Sequence, residues 1–256
     1  MIASLPMYDF PDCRAANDRY WALIRDSLRS AGILAPDALT RDLPDYLAHW
    51  QRADLLLSQT CGYPFRAVLH GKVTLIGTPD FGLAGCPPGY YQSVLVARIT
   101  DARADVLDFK DAQFAYNEPM SQSGWAAPQN HAAALGFRFK AALQSGGHAL
   151  SARAVIDGRA DIAAIDAVTW GLLQRNFPVM SALRVVGRTE PTPCLPYIAA
   201  RGIHPRVVFD AVAAGIAALT EDDRVTLGIK RLLFIPVPAY LAVLTPAPPD
   251  QIVHCR

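Results

Sequence analysis

The sequence predicts an α/β fold, and three observations carry that expectation. Short apolar runs, among them residues 54–59, 90–98 and 160–165, alternate with stretches whose apolar residues recur at helical spacing. Glycine or proline punctuates most junctions between them. Of 256 residues, 52% are hydrophobic and 18% charged, enough apolar material to bury one large core or the cores of two lobes.

Taken in order, residues 2–7 suit a short buried strand. Residues 12–17 supply caps for a helix with Tyr20, Trp21, Ile24, Leu28 and Ala31 on one face and Gly32 as its stop. A helix over 43–51 precedes the strand 54–59 and the turn 60–64. A short helix (65–70), a strand (73–77) and a proline- and glycine-rich loop (78–89) follow, then a strand over 90–98 dominated by β-branched and aromatic residues. In 113–124, Phe114, Ala115 and Tyr116 form a strand that Pro119 stops, and Ser121 or Ser123 caps a helix running through Trp125 towards Leu135. Residues 137–142 read as a strand, 146–147 as a turn, 148–157 as a helix ending at Gly158, and 160–165 as a buried strand. Asp166 then opens a helix to about residue 175. Strands at 183–188 and 195–199 flank a proline-rich loop, 205–220 is a helix with Pro205 in its first turn, and 222–230 and 233–237 close the pattern. No repeat, low-complexity tract or flexible linker interrupts it.

Composition excludes several classes of function. The formal net charge is +1 and the basic residues are scattered, so no nucleic-acid footprint is present. The five cysteines, Cys13, Cys61, Cys86, Cys194 and Cys255, are odd in number and widely spaced, and read as free thiols. No metal-ligand spacing and no cofactor motif appears. Residues 1–8 lack the basic and long apolar segments of a secretory signal and look like a first strand, so the expected location is periplasmic if a leader has been removed and otherwise cytoplasmic. The uncharged run 232–249 has the length of a membrane span, but Pro236, Pro238, Pro246, Pro248 and Pro249 break it. A buried strand, a short helix near 239–244 and a coil tail are expected instead.

A helix start leaves several backbone N–H groups without acceptors and carries partial positive charge. Ser121, Ser123 and Gly124 at that point can present hydroxyls and bare N–H groups to a phosphate, phosphonate or carboxylate. Alone, Ser-x-Ser-Gly is short and common, and an ordinary capped helix accounts for it well.

The ordered set of turns adds to this. The strand ending in Tyr8, the strand and turn 54–63, the turn Asn117-Glu118-Pro119-Met120-Ser121-Gln122-Ser123-Gly124, the turn Gly146-Gly147-His148 and the segment 158–166 together resemble the phosphonate-binding members of the type 2 periplasmic binding proteins, the solute receptors of ABC importers. The similarity spans nearly the whole chain. It implies two α/β lobes joined by two crossing strands, near 93–98 and 185–189, with a ligand cleft between them. Lobe I would be 1–93 plus 190–256 and lobe II 94–189. It also implies a small oxyanion ligand, an ABC permease as partner and hinge closure on binding. By the family pattern, Ser121, Gln122 and Ser123 would hold the anion with the Gly124 N–H nearby, and His148, Asp166, Tyr8 and Tyr63 would surround it. Asp166 would suit an amine or hydroxyl on the ligand. Gln122 departs from the threonine common in phosphonate binders, which points to a different ligand.

Plainer roles exist for the same residues: a surface or capping role for His148, an N-cap for Asp166, half-buried packing for the tyrosines. Glu118 is expected to face away from the anion or to pair with an arginine. The competing functions are a cytoplasmic enzyme on the same scaffold with His148 as general base, for which a Cys61–His148 pair is one chemistry, and a ligand sensor that signals by its closed form.

Overall fold

A computed structural model of the chain describes residues 1–139 and 141–249. Its strands, in chain order, are β1 (Ile2–Ser4), β2 (Leu55–Gln59), β3 (Val73–Asp80), β4 (Tyr90–Tyr91), β5 (Ser93–Arg98), β6 (Phe114–Tyr116), β7 (Ala141–Gln144), β8 (Ile162–Asp166), β9 (Leu183–Arg188), β10 (Thr192–Pro193), β11 (Tyr197–Ala200) and β12 (Arg231–Leu233). The α-helices are α1 (Arg14–Ser30), α2 (Tyr46–Trp50), α3 (Gly62–Pro64), α4 (Ala127–Ala134), α5 (His148–Ile156), α6 (Ala167–Asn176), α7 (Pro205–Ala217), α8 (Glu221–Leu227) and α9 (Val237–Leu241). The predicted α/β class is therefore what the chain forms.

The chain divides into two compact units, Met1–Tyr90 with Pro193–Ala242, and Tyr91–Thr192 with the segment from Val243. The first unit holds a five-stranded sheet ordered β1-β2-β11-β3-β12, with β1 and β2 parallel and β11 antiparallel to both its neighbours. Every residue of β2 is buried, as an apolar run without alternation predicts. On α1, Tyr20, Trp21, Ile24 and Leu28 fall on the buried face. Helix α7 lies against that helix so closely that a Cβ on Gly215 would come within 2.8 Å of Ile24 Cγ1. Trp50, Leu55, Phe65, Leu69, Ile198 and Tyr240 form one buried cluster of this unit.

The second unit holds a five-stranded sheet ordered β7-β6-β8-β5-β9. Strands β7, β6 and β8 are parallel; β5 runs antiparallel to β8 and β9. Val94, Val96, Ala163 and Ile165 of its inner strands pack with Ala152 and Val155 of α5 and with Trp170 and Leu173 of α6. Small alanines on β8 and α5 let the helix approach the sheet.

Several boundaries differ from the sequence reading, each for a physical reason. Strand β1 ends at Ser4, because Pro6 turns the chain into a 3-10 turn over Pro6–Tyr8. Helix α1 runs on from a second 3-10 turn (Pro11–Cys13) and has no side-chain cap. Helix α2 starts only after Pro44, with Asp45 accepting the Ala48 N–H as its cap. The strand expected at 137–142 begins at Ala141. Phe139 instead stacks on Phe114 at 4.8 Å, and Lys140 lies outside the described residues. In the proline-rich tail, the helix starts at Val237 rather than 239, since Pro238 is well suited to a first turn. Among the described residues, no helix is long and apolar enough to cross a membrane.

The unit boundaries also shift. Strands β5 and β9, read as the crossings, pair with each other inside the second sheet. The chain changes unit at Tyr90–Tyr91 and Thr192–Pro193, the strands of a separate two-stranded ribbon, and again after Ala242. The tail expected in lobe I belongs to the second unit from Val243. There Asn130 Nδ2 donates to the Leu244 carbonyl at 2.9 Å and Trp125 Nε1 to that of Ala247 at 3.0 Å.

At the edge of the second unit, Arg103 donates to both carboxylate oxygens of Asp101, at 2.9 and 2.6 Å, and to Asp161, which Arg98 also contacts. The Arg103 guanidinium holds the Asp101 carboxyl below its ordinary 3.8, at about 2. A depressed carboxyl adds stability in full above its unfolded value and loses it as pH falls through the folded one. Urea unfolding of Asp101→Asn against the parent should show a deficit at pH 7 that shrinks between about pH 4 and 2; a constant deficit would refute the assignment.

Candidate functional site

The parallel strands β7, β6 and β8 carry their carboxyl ends to one edge of the second sheet, where open α/β sheets place ligands. Six of the eight sequence-predicted residues lie in this unit. Two hydrogen bonds draw the loops together: the Ser145 N–H donates to Tyr116 O at 2.8 Å, and the Gly146 N–H to Asn117 O at 3.0 Å. Gly146, at φ +84°, makes the left-handed turn that lets α5 start beside the end of β6.

Ser121 is the cap of the helix after β6. Its Oγ accepts the Gly124 N–H at 2.9 Å, and its carbonyl accepts the N–H of both Trp125 and Ala126, so Gln122–Ala126 is a π-type turn leading into α4. Such turns add a residue to the helix and recur at functional sites. The expectation that the Gly124 N–H serves an anion is corrected here, since that N–H is spent on the cap. The Ser123 N–H sits in the first turn, without an intrahelical acceptor. Gly124 leaves room for Asn117: a Cβ there would stand 1.8 Å from Asn117 Oδ1, so that side chain would have to move. Gln122, Ser123 and Ser121 are all buried.

Ser123 Oγ lies 2.8 Å from His148 Nε2, so the first residue of α5 meets the helix start directly. Burial pulls the His148 imidazole down to about 4, against the opposing pull of the Ala164 carbonyl, and the ring is neutral near pH 7. Asp166 ends β8, and its Oδ1 accepts the Thr169 N–H at 2.8 Å as the cap of α6. Opposite Asp166 in the register is Ser93, whose Oγ donates to the Ser123 carbonyl at 2.8 Å. Ser93 in turn exchanges two hydrogen bonds with Thr189, each 3.0 Å long. Glu118 faces away, exposed, taking a hydrogen bond from Gln144 at 3.1 Å rather than from an arginine.

Ser93, Asn117 and Thr189 were not singled out from sequence. Nothing local marks a serine inside an apolar strand, and its role appears only once β5 pairs with β8.

Tyr8 and Tyr63 lie in the first unit. Tyr8 closes the 3-10 turn after β1, its ring edge-on to Phe81 with centroids 5.3 Å apart. With Tyr20, Gln59, Phe81 and Tyr197 it lines a pocket of about 30 Å³, room for one water-sized group. Tyr63 is buried in α3 with the Arg66 guanidinium 4.7 Å above its ring; burial raises its hydroxyl pKa and Arg66 partly offsets this. Cys13 and Cys194 are buried and Cys61 and Cys86 half-buried, and among the described residues no group of side chains could hold a metal ion. Cys255 lies outside the described residues.

The family model for periplasmic substrate-binding proteins of phosphonate ABC transporters matches residues 46–235. No curated protein matches the sequence significantly. Among solved structures, the chain is similar to PhnD1 of Prochlorococcus marinus in complex with methylphosphonate, at 17% identity over 93% of this chain and 94% of that one, with a TM-score of 0.70. The binding protein component of a phosphonate ABC transporter from Pseudomonas aeruginosa aligns at 15% identity over 94% and 82% of the two chains, with a TM-score of 0.68. A Xanthomonas citri protein bound to ATP aligns at 14% over 93% and 92%, with a TM-score of 0.66. At these identities the likeness establishes the fold, which is that of the type 2 periplasmic binding proteins. With three-quarters of its length matched by the family model, this chain belongs to the phosphonate-type periplasmic substrate-binding proteins of ABC transporters.

Proposed function

We propose that the protein binds a small phosphate- or phosphonate-like oxyanion at the helix start of its second unit and hands it to the permease of an ABC importer. The carrying observation is the set Ser121, Ser123 and His148 at the carboxyl ends of β6 and β7: a capped helix start whose Ser123 N–H has no intrahelical acceptor, beside hydroxyls held in place. Gln122 contributes from the same turn. Asp166 is the proposed acceptor for an amine or hydroxyl on the ligand, and Tyr8 and Tyr63 are proposed ligand contacts of the first unit. The family assignment supports a periplasmic place of action.

The enzyme reading relies on His148 as general base. An imidazole held near 4 by burial is a weak base at neutral pH, which favours binding over proton transfer. Ligands recovered chemically unchanged after long incubation, with no adduct on Cys61 or His148, are the expected result.

Phosphate, alkylphosphonates, sulfonates and small carboxylates should be compared by thermal shift, where binders of the folded state raise Tm by mass action. Ser123→Ala is expected to weaken the best oxyanion roughly tenfold, the cost of about 1.5 kcal/mol for a hydrogen bond to a charged group. An effect within about twofold would remove Ser123 from the site. Gly124→Ala pushes Asn117 aside, so it should lower stability by about 1–3 kcal/mol in urea unfolding and reduce binding as well. Parent-like stability and affinity would show that the turn tolerates the methyl group and that its geometry is not a constraint.

A further inference from the structure

Strand β5 opens at Ser93, two residues after the second unit begins at Tyr91, and Thr189 is the first residue past the end of β9, three before that unit ends at Thr192. In an antiparallel ladder a hydrogen-bonded pair exchanges two backbone N–H···O=C bonds. The ladder between these strands runs as far as Val94 and Arg188, and at the next pair one of the two bonds changes character. The Thr189 N–H donates to the Ser93 carbonyl at 3.0 Å, but the Ser93 N–H donates to Thr189 Oγ1, also at 3.0 Å. A side-chain hydroxyl thus stands in for the Thr189 carbonyl, and the backbone turns out of the sheet without stranding a buried N–H.

The same serine reaches the recognition turn. Ser93 Oγ donates to the Ser123 carbonyl at 2.8 Å, and the neighbouring Gln92 carbonyl accepts the Ala167 N–H at 3.1 Å, at the start of the helix that Asp166 caps. Residues 92 and 93 therefore hold the backbone at two of the positions assigned to the ligand, Ser123 directly and Asp166 through its neighbour. Ser93, Ser123 and Thr189 are exposed by only 1, 4 and 3%. Away from competing water, each of these bonds fixes a direction rather than merely a proximity.

We propose that Ser93 and Thr189 are positioning residues for the oxyanion, acting through Ser123: they fix its peptide and join the ligand-holding turn to the ends of β5 and β9 nearest the unit boundaries. This rests on the oxyanion reading above and adds the residues that set its affinity. A hydroxyl and an N–H recognise an anion only over a narrow range of directions, so a turn free to rock loses affinity with every polar group still present. The coupling is reciprocal, so an occupied turn also restrains the Ser93–Thr189 pair.

Calorimetric titration of the whole protein with methylphosphonate tests this. Ser93→Ala, which removes the donor to Ser123, is expected to bind about fivefold more weakly, the worth of one hydrogen bond. Thr189→Val keeps the shape and removes the acceptor, and should lose a similar factor. Thr189→Ser keeps the hydroxyl and should bind within about twofold of the parent, a rescue that a space-filling threonine would not give. The fitted stoichiometry separates loss of affinity from loss of folded protein. Parent-like affinity in Ser93→Ala, or equal losses in Thr189→Val and Thr189→Ser, overturns the inference and leaves the oxyanion reading standing; a parent that binds neither methylphosphonate nor phosphate overturns both. Should a variant fail to fold, the parent alone decides. Its amide hydrogen exchange, with and without saturating methylphosphonate, should slow more at Ser93 and Thr189 than at Val96 and Ala97 further along β5. Equal slowing at all of these amides is what global stabilisation produces, and it overturns the inference without recourse to any variant.

Discussion

The second unit depends on one hydrogen bond, from the Gly124 N–H to Ser121 Oγ. It caps the helix start after β6 and spends the third N–H of the first turn on the protein itself. With that group satisfied internally, the neighbouring Ser123 is held by His148 at its hydroxyl and by Ser93 at its carbonyl. A donor surface that a bare helix start would offer diffusely is thereby reduced to a few groups with fixed orientation. The close approach at Gly124 belongs to the same geometry, since the Asn117 side chain occupies the space a Cβ would take.

The device is built in both units with different chemistry. In the first, β2 runs through Thr60-Cys61 into α3 and a π-type turn over Phe65–Leu69. In the second, β6 leads through Ser121 into a π-type turn over Gln122–Ala126. The first start has Cys61 at its cap and no side-chain hydrogen bond there, whereas the second has a serine that makes one. Serines mark the second unit's turn, while in the first unit Tyr8 packs edge-on against Phe81 and Tyr63 is buried.

Much of this was legible in the sequence because it is local. The apolar runs of β2, β5 and β8, the stop at Gly32, a serine cap after β6 and Asp166 as a cap all follow from side-chain size, branching and hydrogen-bonding reach within a few residues. What the sequence left open is non-local. Ser93 reads as an ordinary strand residue until antiparallel pairing sets it opposite Asp166. The fate of the Gly124 N–H required knowing which of two serines caps the helix, and local chemistry permits either. The neutrality of His148 depends on burial by residues distant in sequence. The tail looked like part of the first unit because its uncharged run continues β12, but the partners that place it, Trp125 and Asn130, lie more than a hundred residues earlier.

That tail attachment has a practical bearing. Trp125, fully buried with its ring tilted against those of Phe114 and Tyr116, sits two residues after Ser123 and donates its indole N–H to the Ala247 carbonyl. The segment around Ala247 is therefore tied to the turn after β6. Losing the Ala247 carbonyl would leave a buried indole N–H without its acceptor directly behind the turn after β6.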